Sequence, residues 1–277
     1  MPVGVRGLWR FLGCGGNVPL ELLPKEKQVE TTAKKLEDRN IKGRKIAVLM
    51  ADGFEMAEYT MPVNALRMAG ANTTVVSLRR GRIRGVNLHE PAHKVHADLT
   101  VDEAAEADFD GLFVPGGFIN PDLLRQSESA RKFVSDFERA RKPIVTLCHG
   151  PWVLASSGLL PGRTVTSWPG IRDDVVNAGG IWLDQPVVRD GNWLTSRGPQ
   201  DFAQFVPALL KFFCASKEDL EARSEGERSQ SSPQRTRAPD VVIRAMQWLP
   251  RPSLRGFMFG LFVGVLAMVG RNSRRTY

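Results

Sequence analysis

The chain has 277 residues, of which 42% are apolar and 25% charged, so it can bury one substantial core with appended segments. Its formal net charge is +8, yet residues 45–213 hold 18 Lys and Arg against 19 Asp and Glu. The excess of positive charge therefore lies in residues 1–44 and 214–277. A nearly neutral centre argues against a nucleic-acid-binding domain, and the basic ends point instead to an anionic surface such as lipid.

Composition divides the chain into four segments. Residues 45–213 carry alternating strand and helix patterns, and residues 1–44 read as an N-terminal extension that is partly disordered. Residues 214–240 read as a flexible charged linker, and 241–277 combine an amphipathic piece with an apolar stretch. We expect one enzyme-sized domain flanked by appendages.

Apolar strands alternate with helices through the central segment. In chain order, the predicted elements are a strand at 45–50, a helix at 59–69, strands at 73–78 and 111–114, a helix at 121–141, a strand at 143–147, a hairpin at 186–196 and a helix at 199–213. The hairpin turns at Asp190-Gly191, a dipeptide that suits a tight turn. This rhythm predicts an α/β fold with a mainly parallel sheet, helices on both faces and ligands at the carboxyl ends of the strands.

Cys148 follows the strand at 143–147 and precedes His149-Gly150 and a helical run. A sharp turn from strand to helix is typical of a nucleophile elbow, which holds one side chain up at the edge of the sheet. The turn and the adjacent imidazole favour a thiolate with a lowered pKa. A buried structural cysteine that happens to precede a histidine is the alternative.

Two further loops follow predicted strands at the same edge. Ala51-Asp52-Gly53-Phe54-Glu55 places Glu55 within reach of the elbow, and the paired glycines Gly116 and Gly117 allow backbone N–H groups to approach a bound oxygen. Each pattern has a simpler explanation by itself, as a solvated carboxylate or an ordinary turn. Their joint position after three strands of one sheet predicts an active site.

Cysteine and histidine spacing predicts no metal site. Cys14, Cys148 and Cys214 are odd in number and scattered, which favours a reduced, cytoplasmic compartment. Three histidines fall within residues 89–96, but they fit no clean helix or strand face, so we interpret His89, His93 and His96 as surface residues.

Together these segments resemble the PfpI family of the DJ-one/PfpI superfamily, whose domain is similar to class I glutamine amidotransferases. The resemblance covers residues 45–213 and is carried by the segments 51–55, 115–117, 121–125, 147–151, 166–180, 190–197 and 199–201. It implies a flavodoxin-like three-layer α/β/α sandwich and a homo-oligomer without a cofactor.

The resemblance also implies site roles. Cys148 is then the nucleophile, His149 its neighbouring base, and Glu55 the glutamate that hydrogen-bonds the thiol and moves a proton. Asp122 occupies the position of an acid that the family supplies from a neighbouring subunit. Gly116, Gly117 and the N–H groups of Cys148 and His149 would line the oxyanion pocket, and Trp152 and Trp168 are expected at its mouth.

The leading hypothesis is a cofactor-independent enzyme that acts on reactive dicarbonyls or their adducts, as a glyoxalase or deglycase. A cysteine peptidase or amidohydrolase, in which His149 pairs with Asp122 of another subunit, is the first alternative. A non-enzymatic redox sensor or chaperone that oxidises Cys148 to a sulfinate is the second. An amidotransferase is disfavoured, because no histidine follows His149 in the chain.

The apolar stretch at residues 256–270 is uncharged for 15 residues between Arg255 and Arg271. As a helix it would span about 22 Å, less than the ~30 Å hydrocarbon core of a bilayer. Its glycines recur every four residues, as in membrane helices that pack closely. A membrane anchor is favoured over an apolar helix docked on the enzyme.

Overall fold

A computed structural model describes residues 41–215 and Leu220. The strands are β1 (Lys45–Leu49), β2 (Phe54–Glu55), β3 (Asn72–Ser77), β4 (Gly81–Asn87), β5 (Glu90–Ala97), β6 (Leu99–Thr100), β7 (Gly111–Val114), β8 (Ile144–Leu147), β9 (Thr164–Val165), β10 (Ile181–Trp182), β11 (Val187–Asp190) and β12 (Trp193–Ser196). The helices are α1 (Met56–Met68), α2 (Ile119–Gln126), α3 (Glu128–Arg139), α4 (Pro151–Ser156), α5 (Arg172–Asn177) and α6 (Phe202–Phe213).

The central sheet has seven strands in the order β11-β12-β8-β7-β1-β3-β6. All neighbouring strands run parallel except β11, which pairs antiparallel with β12 at one edge. The chain first extends the sheet from β1 to β3 and β6, and then adds β7, β8 and β12 on the other side of β1. Because the connections diverge there, the loops that follow β1, β7 and β8 meet at one carboxyl edge.

Side chains of β1 alternate between two hydrophobic clusters. Ile46 and Val48 belong to a cluster that also contains residues of α1 and α6, whereas Ala47 and Leu49 belong to one that contains residues of α2, α3, α4 and α5. Each large apolar side chain buried in this way contributes about 1.5–3 kcal/mol relative to an exposed one. The predicted parallel sheet with helices on both faces is confirmed.

A second sheet was not predicted from the sequence. β2 pairs parallel with β4, and β4 pairs antiparallel with β5, so residues 81–97 form a hairpin beside the loop after β1. His93 and His96 lie on β5 and are exposed, as is His89 in the turn of the hairpin. Their interpretation as surface residues agrees with this placement.

The prediction of one continuous helix at 121–141 is wrong, because two helices occupy that region. Ser127 separates α2 from α3 with an extended backbone (φ −82°, ψ 123°), and its Oγ accepts a hydrogen bond from the Ala130 N–H at 3.2 Å. Serine is a preferred N-cap because its hydroxyl replaces a missing helical acceptor. The predicted buried face of α3 is correct, but the predicted helix began before this cap.

Several predictions fall outside the described residues. They are the N-terminal extension as far as residue 40, most of the linker at 214–240, and the amphipathic and apolar pieces at 241–277. Among residues 41–215 and Leu220, no helix has the length and apolar character needed to cross a membrane.

Candidate active site

Cys148 occupies the predicted elbow between β8 and α4. Its backbone has φ of +57°, in the left-handed region that non-glycine residues rarely adopt. Its N–H donates to the Ser196 carbonyl at 3.0 Å, and its carbonyl accepts from the Trp168 N–H at 2.9 Å. A Cβ on Gly150 would lie 1.9 Å from the Thr146 Oγ1, so the turn requires glycine there. Backbone hydrogen bonds on both sides hold this strained conformation in place.

Glu58, in the first turn of α1, is the carboxyl group that contacts the thiol. Its side chain is buried, a hydrogen bond joins it to the Cys148 thiol, and its Oε2 accepts from the Gly116 N–H at 2.8 Å. Burial raises the pKa of Glu58 to about 8, and the negative charge of Glu55 acts in the same direction. Glu58 is therefore mainly protonated at neutral pH.

The Cys148 side chain is only 7% exposed. Burial raises its pKa well above that of a free thiol, and the nearby Glu58 charge adds to this, while N–H groups of Gly117 and His149 act in the opposite direction. The predicted lowering of the thiol pKa is therefore not supported. Because Glu58 is largely neutral below pH about 8, its charge is absent at neutral pH and burial remains the main cause.

His149 places its Nδ1 3.2 Å from the Cys148 Sγ. Burial lowers the pKa of His149 to about 4, against the opposing effect of the Asp174 carboxylate. The imidazole is consequently neutral at pH 7, and in the tautomer with its proton on Nε2 it can accept the thiol proton. Its ring lies 5.1 Å from the Trp152 ring and 6.2 Å from the Trp168 ring, so two indoles hold it in place.

Glu55 does not make the hydrogen bond predicted for it. Its Oε2 accepts from the Leu88 N–H at 2.8 Å, on the side of the β4–β5 turn, and burial raises its pKa. Sequence reasoning missed Glu58 because it began the helix at Tyr59 instead of Met56. The available signal was spacing: Glu58, Pro62 and Leu66 recur every four residues on the buried face of α1.

The paired glycines are used differently from each other. The Gly116 N–H binds Glu58, whereas the Gly117 N–H donates to the Cys148 sulfur. Gly117 has φ of +82°, and a Cβ there would lie 2.4 Å from the Gly53 carbonyl oxygen. Of the predicted oxyanion donors, the N–H groups of Gly117 and His149 point to the sulfur. The Cys148 N–H does not, because it is bound to Ser196.

Asp122 lies apart from these groups on α2, exposed to solvent. Its Oδ2 accepts a hydrogen bond from the Gln126 Nε2 at 3.1 Å. Its neighbours Phe118, Ile119 and Leu123 are large apolar residues that are 46%, 39% and 36% exposed. Among the residues that the structure describes, the acid whose charge acts on His149 is Asp174. The chain alone therefore does not place Asp122 in a triad.

No cluster of three or more His, Cys, Asp or Glu side chains that could hold a metal occurs among the described residues. The chemistry available at the site is that of a thiol, a protonated carboxyl, a neutral imidazole and two N–H donors. This set supports covalent addition and proton transfer.

Residues 44–212, more than half of the chain, match the DJ-1/PfpI family. The chain belongs to the DJ-1/PfpI family. Its relatives include Deglycase TK1284 of Thermococcus kodakarensis, which is 40% identical over 167 residues, covering 60% of this chain and 98% of the relative. YraA of Bacillus subtilis, named as a proposed cysteine protease, is 40% identical over 163 residues, covering 58% and 94%.

A solved structure of the DJ-1/PfpI family shares the fold. DJ-1beta of Drosophila melanogaster superposes with a TM-score of 0.58 and 26% identity, covering 66% of this chain and 97% of that one. The flavodoxin-like α/β architecture expected from the family resemblance is confirmed.

Proposed function

We propose that this member of the DJ-1/PfpI family is a cofactor-independent cysteine enzyme of the deglycase type, acting on reactive dicarbonyls or on their adducts with amines. Relatives that are about 40% identical bear the name deglycase, which supports the class but not a particular substrate. Cys148 is the nucleophile in this proposal, and Glu58 takes the proton-transfer role first expected of Glu55.

The observation that carries the proposal is the buried Glu58 carboxyl beside the Cys148 thiol, with a pKa of about 8. A carboxyl that titrates near neutral pH can give and take a proton within one catalytic cycle. Deprotonation of the thiol to form the nucleophile would need only the imidazole. Turnover of a hemithioacetal also needs a group that moves protons between adjacent carbon and oxygen atoms.

Addition is the first step. The thiol proton passes to the His149 Nδ1 as the sulfur attacks the aldehyde carbon of methylglyoxal, and the carbonyl oxygen then takes up a proton to give a neutral hemithioacetal. With an amine adduct, the same carbon–sulfur bond forms while the carbon–nitrogen bond breaks, and the amine leaves with a proton. Both routes give the same covalent intermediate.

Rearrangement and hydrolysis complete the cycle. A base removes the proton from the carbon that bears sulfur and the neighbouring ketone oxygen is protonated, which gives an enediol. A proton then returns to the second carbon while the hydroxyl on the sulfur-bearing carbon loses its proton, and this yields a thioester. Water then cleaves the carbon–sulfur bond, releasing lactate and the free thiol. One carbon is oxidised and its neighbour reduced, so no external oxidant or reductant is required.

The direct test is consumption of methylglyoxal and formation of lactate by the full chain and by Cys148→Ala. We expect turnover by the parent and none by the variant. Equal rates for the two proteins would remove the proposal, and so would a parent that fails to consume either methylglyoxal or a methylglyoxal-treated amine.

A cysteine peptidase is the second candidate, favoured by the name of the relative YraA and by the exposed apolar residues around Asp122. A second copy of the chain that covered Phe118, Ile119 and Leu123 would bring Asp122 into an interface. An acid supplied in this way would complete a Cys-His-acid triad. The redox-sensor alternative is weaker, because burial raises the pKa of the Cys148 thiol and peroxide reacts with thiolates.

A further inference from the structure

Trp152 is tied to an acid that no part of the proposed chemistry uses. Its indole Nε1–H donates to the Oδ2 of Asp174 on α5 at 2.7 Å. The guanidinium of Arg125 lies 5.3 Å from the centroid of the Trp152 ring, and its Nε donates to the Ser156 Oγ at 2.9 Å. Side chains from two other helices, α2 and α5, thus hold the indole that α4 carries.

That indole in turn contacts the catalytic imidazole. The rings of Trp152 and His149 meet edge to face, with centroids 5.1 Å apart and planes at 63°. The Trp168 ring is stacked against His149 at 6.2 Å. Rotation of the half-buried Trp152 would remove one of the two ring contacts that keep the His149 Nδ1 toward the sulfur, 3.2 Å distant.

A hydrogen bond to a carboxylate is stronger than one between neutral groups, and it fixes the plane of the indole. Asp174 also opposes the effect of burial on His149, because its negative charge favours the imidazolium. The hydrogen bond from Trp152 and the charge of Asp174 therefore act in the same direction. Both favour an imidazole that faces the sulfur and can accept its proton.

We infer that Asp174 is a positioning residue, which holds the His149 imidazole against the Cys148 sulfur through the indole N–H of Trp152. The effect on turnover rests on the proposed function. The effect on the reactivity of the thiol does not.

The chain provides a matched control in the preceding residue. Asp173 is an acid on the same helix, its side chain is 80% exposed, and its Oδ1 accepts from the Arg172 Nη1 at 2.6 Å. Replacing it removes the same charge from α5 without touching Trp152.

Turnover of methylglyoxal would be measured for Asp174→Ala, Trp152→Phe, the double variant and Asp173→Ala. We expect each of the first two to lower kcat/KM by about fivefold to tenfold, the scale of one lost hydrogen bond. The double variant should lose no more than either single variant, since both break the same link. Asp173→Ala should stay within about twofold of the parent.

Losses that multiply in the double variant would overturn the inference, as would equal losses for the two aspartates. Asp174→Asn distinguishes position from charge, because its amide oxygen can still accept the indole N–H. We expect it to retain most of the activity. A loss as large as that of Asp174→Ala would contradict action through Trp152.

Alkylation of Cys148 by iodoacetamide, followed by mass spectrometry across pH, gives a reading that needs no turnover. Asp174→Ala and Trp152→Phe should slow alkylation to a similar extent, and Asp173→Ala should leave it unchanged. If the parent protein failed to consume methylglyoxal, the proposed function would fall while alkylation still decided the role of Asp174. An unchanged rate of alkylation in Asp174→Ala would contradict the positioning role, even if the parent protein turned over methylglyoxal.

Discussion

The Glu58 carboxyl and the Cys148 thiol share a buried hydrogen bond at the point where α1 faces the elbow. The same carboxyl is fixed by the Gly116 N–H, 2.8 Å from its Oε2, so it has little freedom to leave the sulfur. Burial raises the pKa of both groups. At neutral pH the pair therefore rests as a neutral acid beside a neutral thiol, and the proton has to be moved during the reaction.

Replacing Glu58 by glutamine should abolish most of the turnover while preserving the shape of the site. The amide can still accept from the Gly116 N–H, but it cannot exchange a proton with the intermediate. We expect kcat/KM for methylglyoxal to fall by about 100-fold or more, the usual contribution of a general acid–base group. Glu55→Gln makes the same substitution at the last residue of β2, directly before α1, and should cost less than tenfold. Equal losses in the two variants would contradict a catalytic role that belongs to Glu58 alone.

The dependence of activity on pH should be bell-shaped. His149 must be neutral to accept the thiol proton, so activity falls as pH drops through about 4, the pKa of its imidazole. Glu58 must carry its proton, so activity falls as pH rises through about 8. A profile of kcat/KM between pH 3.5 and 10 measures both limbs. In Glu58→Gln the residual activity should lack the alkaline limb, and its persistence there would assign that limb to another group.

The stability of the protein should decrease with pH because of Glu58. Its pKa is raised on folding from 4.5 to about 8, so its contribution to stability is complete below pH 4.5 and is lost as pH rises toward about 8. The slope contributed by this group is at most about 1.4 kcal/mol per pH unit within that window. Denaturant unfolding at several pH values should give Glu58→Gln a flatter profile and a stability above that of the parent at pH 9. A parent and variant with parallel profiles would contradict a buried, protonated Glu58.

The sequence predicted the sheet well because strand periodicity and burial are local properties. Apolar runs at 45–50, 111–114 and 143–147 became β1, β7 and β8, and the turn at Asp190-Gly191 joins β11 to β12 as expected. The hairpin of β4 and β5 was not predicted because its strands are mostly exposed and have few large apolar residues. Its pairing depends on contacts with β2 that no local pattern reveals.

The site was predicted less completely, because the protonation of a group depends on its three-dimensional surroundings. Cys148 and His149 are neighbours in sequence, so their contact could be anticipated. The choice between Glu55 and Glu58 depended on where α1 begins, and on which carboxylate faces the interior. The raised pKa of the thiol follows from its burial, which the position of an elbow alone does not determine.

Gly116→Ala should remove activity by displacing the Glu58–Cys148 pair. An added Cβ would lie 2.5 Å from the Glu58 Oε2 and 2.6 Å from the Cys148 Cβ, and both atoms are held in place. Gly85→Ala is a steric control, since the nearest atoms to its Cβ would be the Met56 Cε at 2.6 Å and the Phe54 Cζ at 2.9 Å, and not atoms of Glu58 or Cys148. Thermal unfolding should show both variants to be less stable, by about 1–3 kcal/mol. Turnover per folded molecule should be lost only in Gly116→Ala, and a similar loss in both would mean that general destabilisation is the cause.

Complementation between two inactive variants tests whether Asp122 acts across an interface. If each site combines Cys148 of one copy with Asp122 of another, Asp122→Ala and Cys148→Ala should each be inactive as pure proteins, and hybrids should contain intact sites. For a dimer with random exchange of subunits, an equal mixture should recover about a quarter of the parent activity, because half of the dimers hold one intact site of two. Gln126→Ala, which removes the hydrogen-bond partner of Asp122 within its own helix, should remain active by itself. A mixture that stays inactive after subunits have exchanged, or an Asp122→Ala variant with full activity, would leave Asp122 a surface residue of α2 with no part in the chemistry.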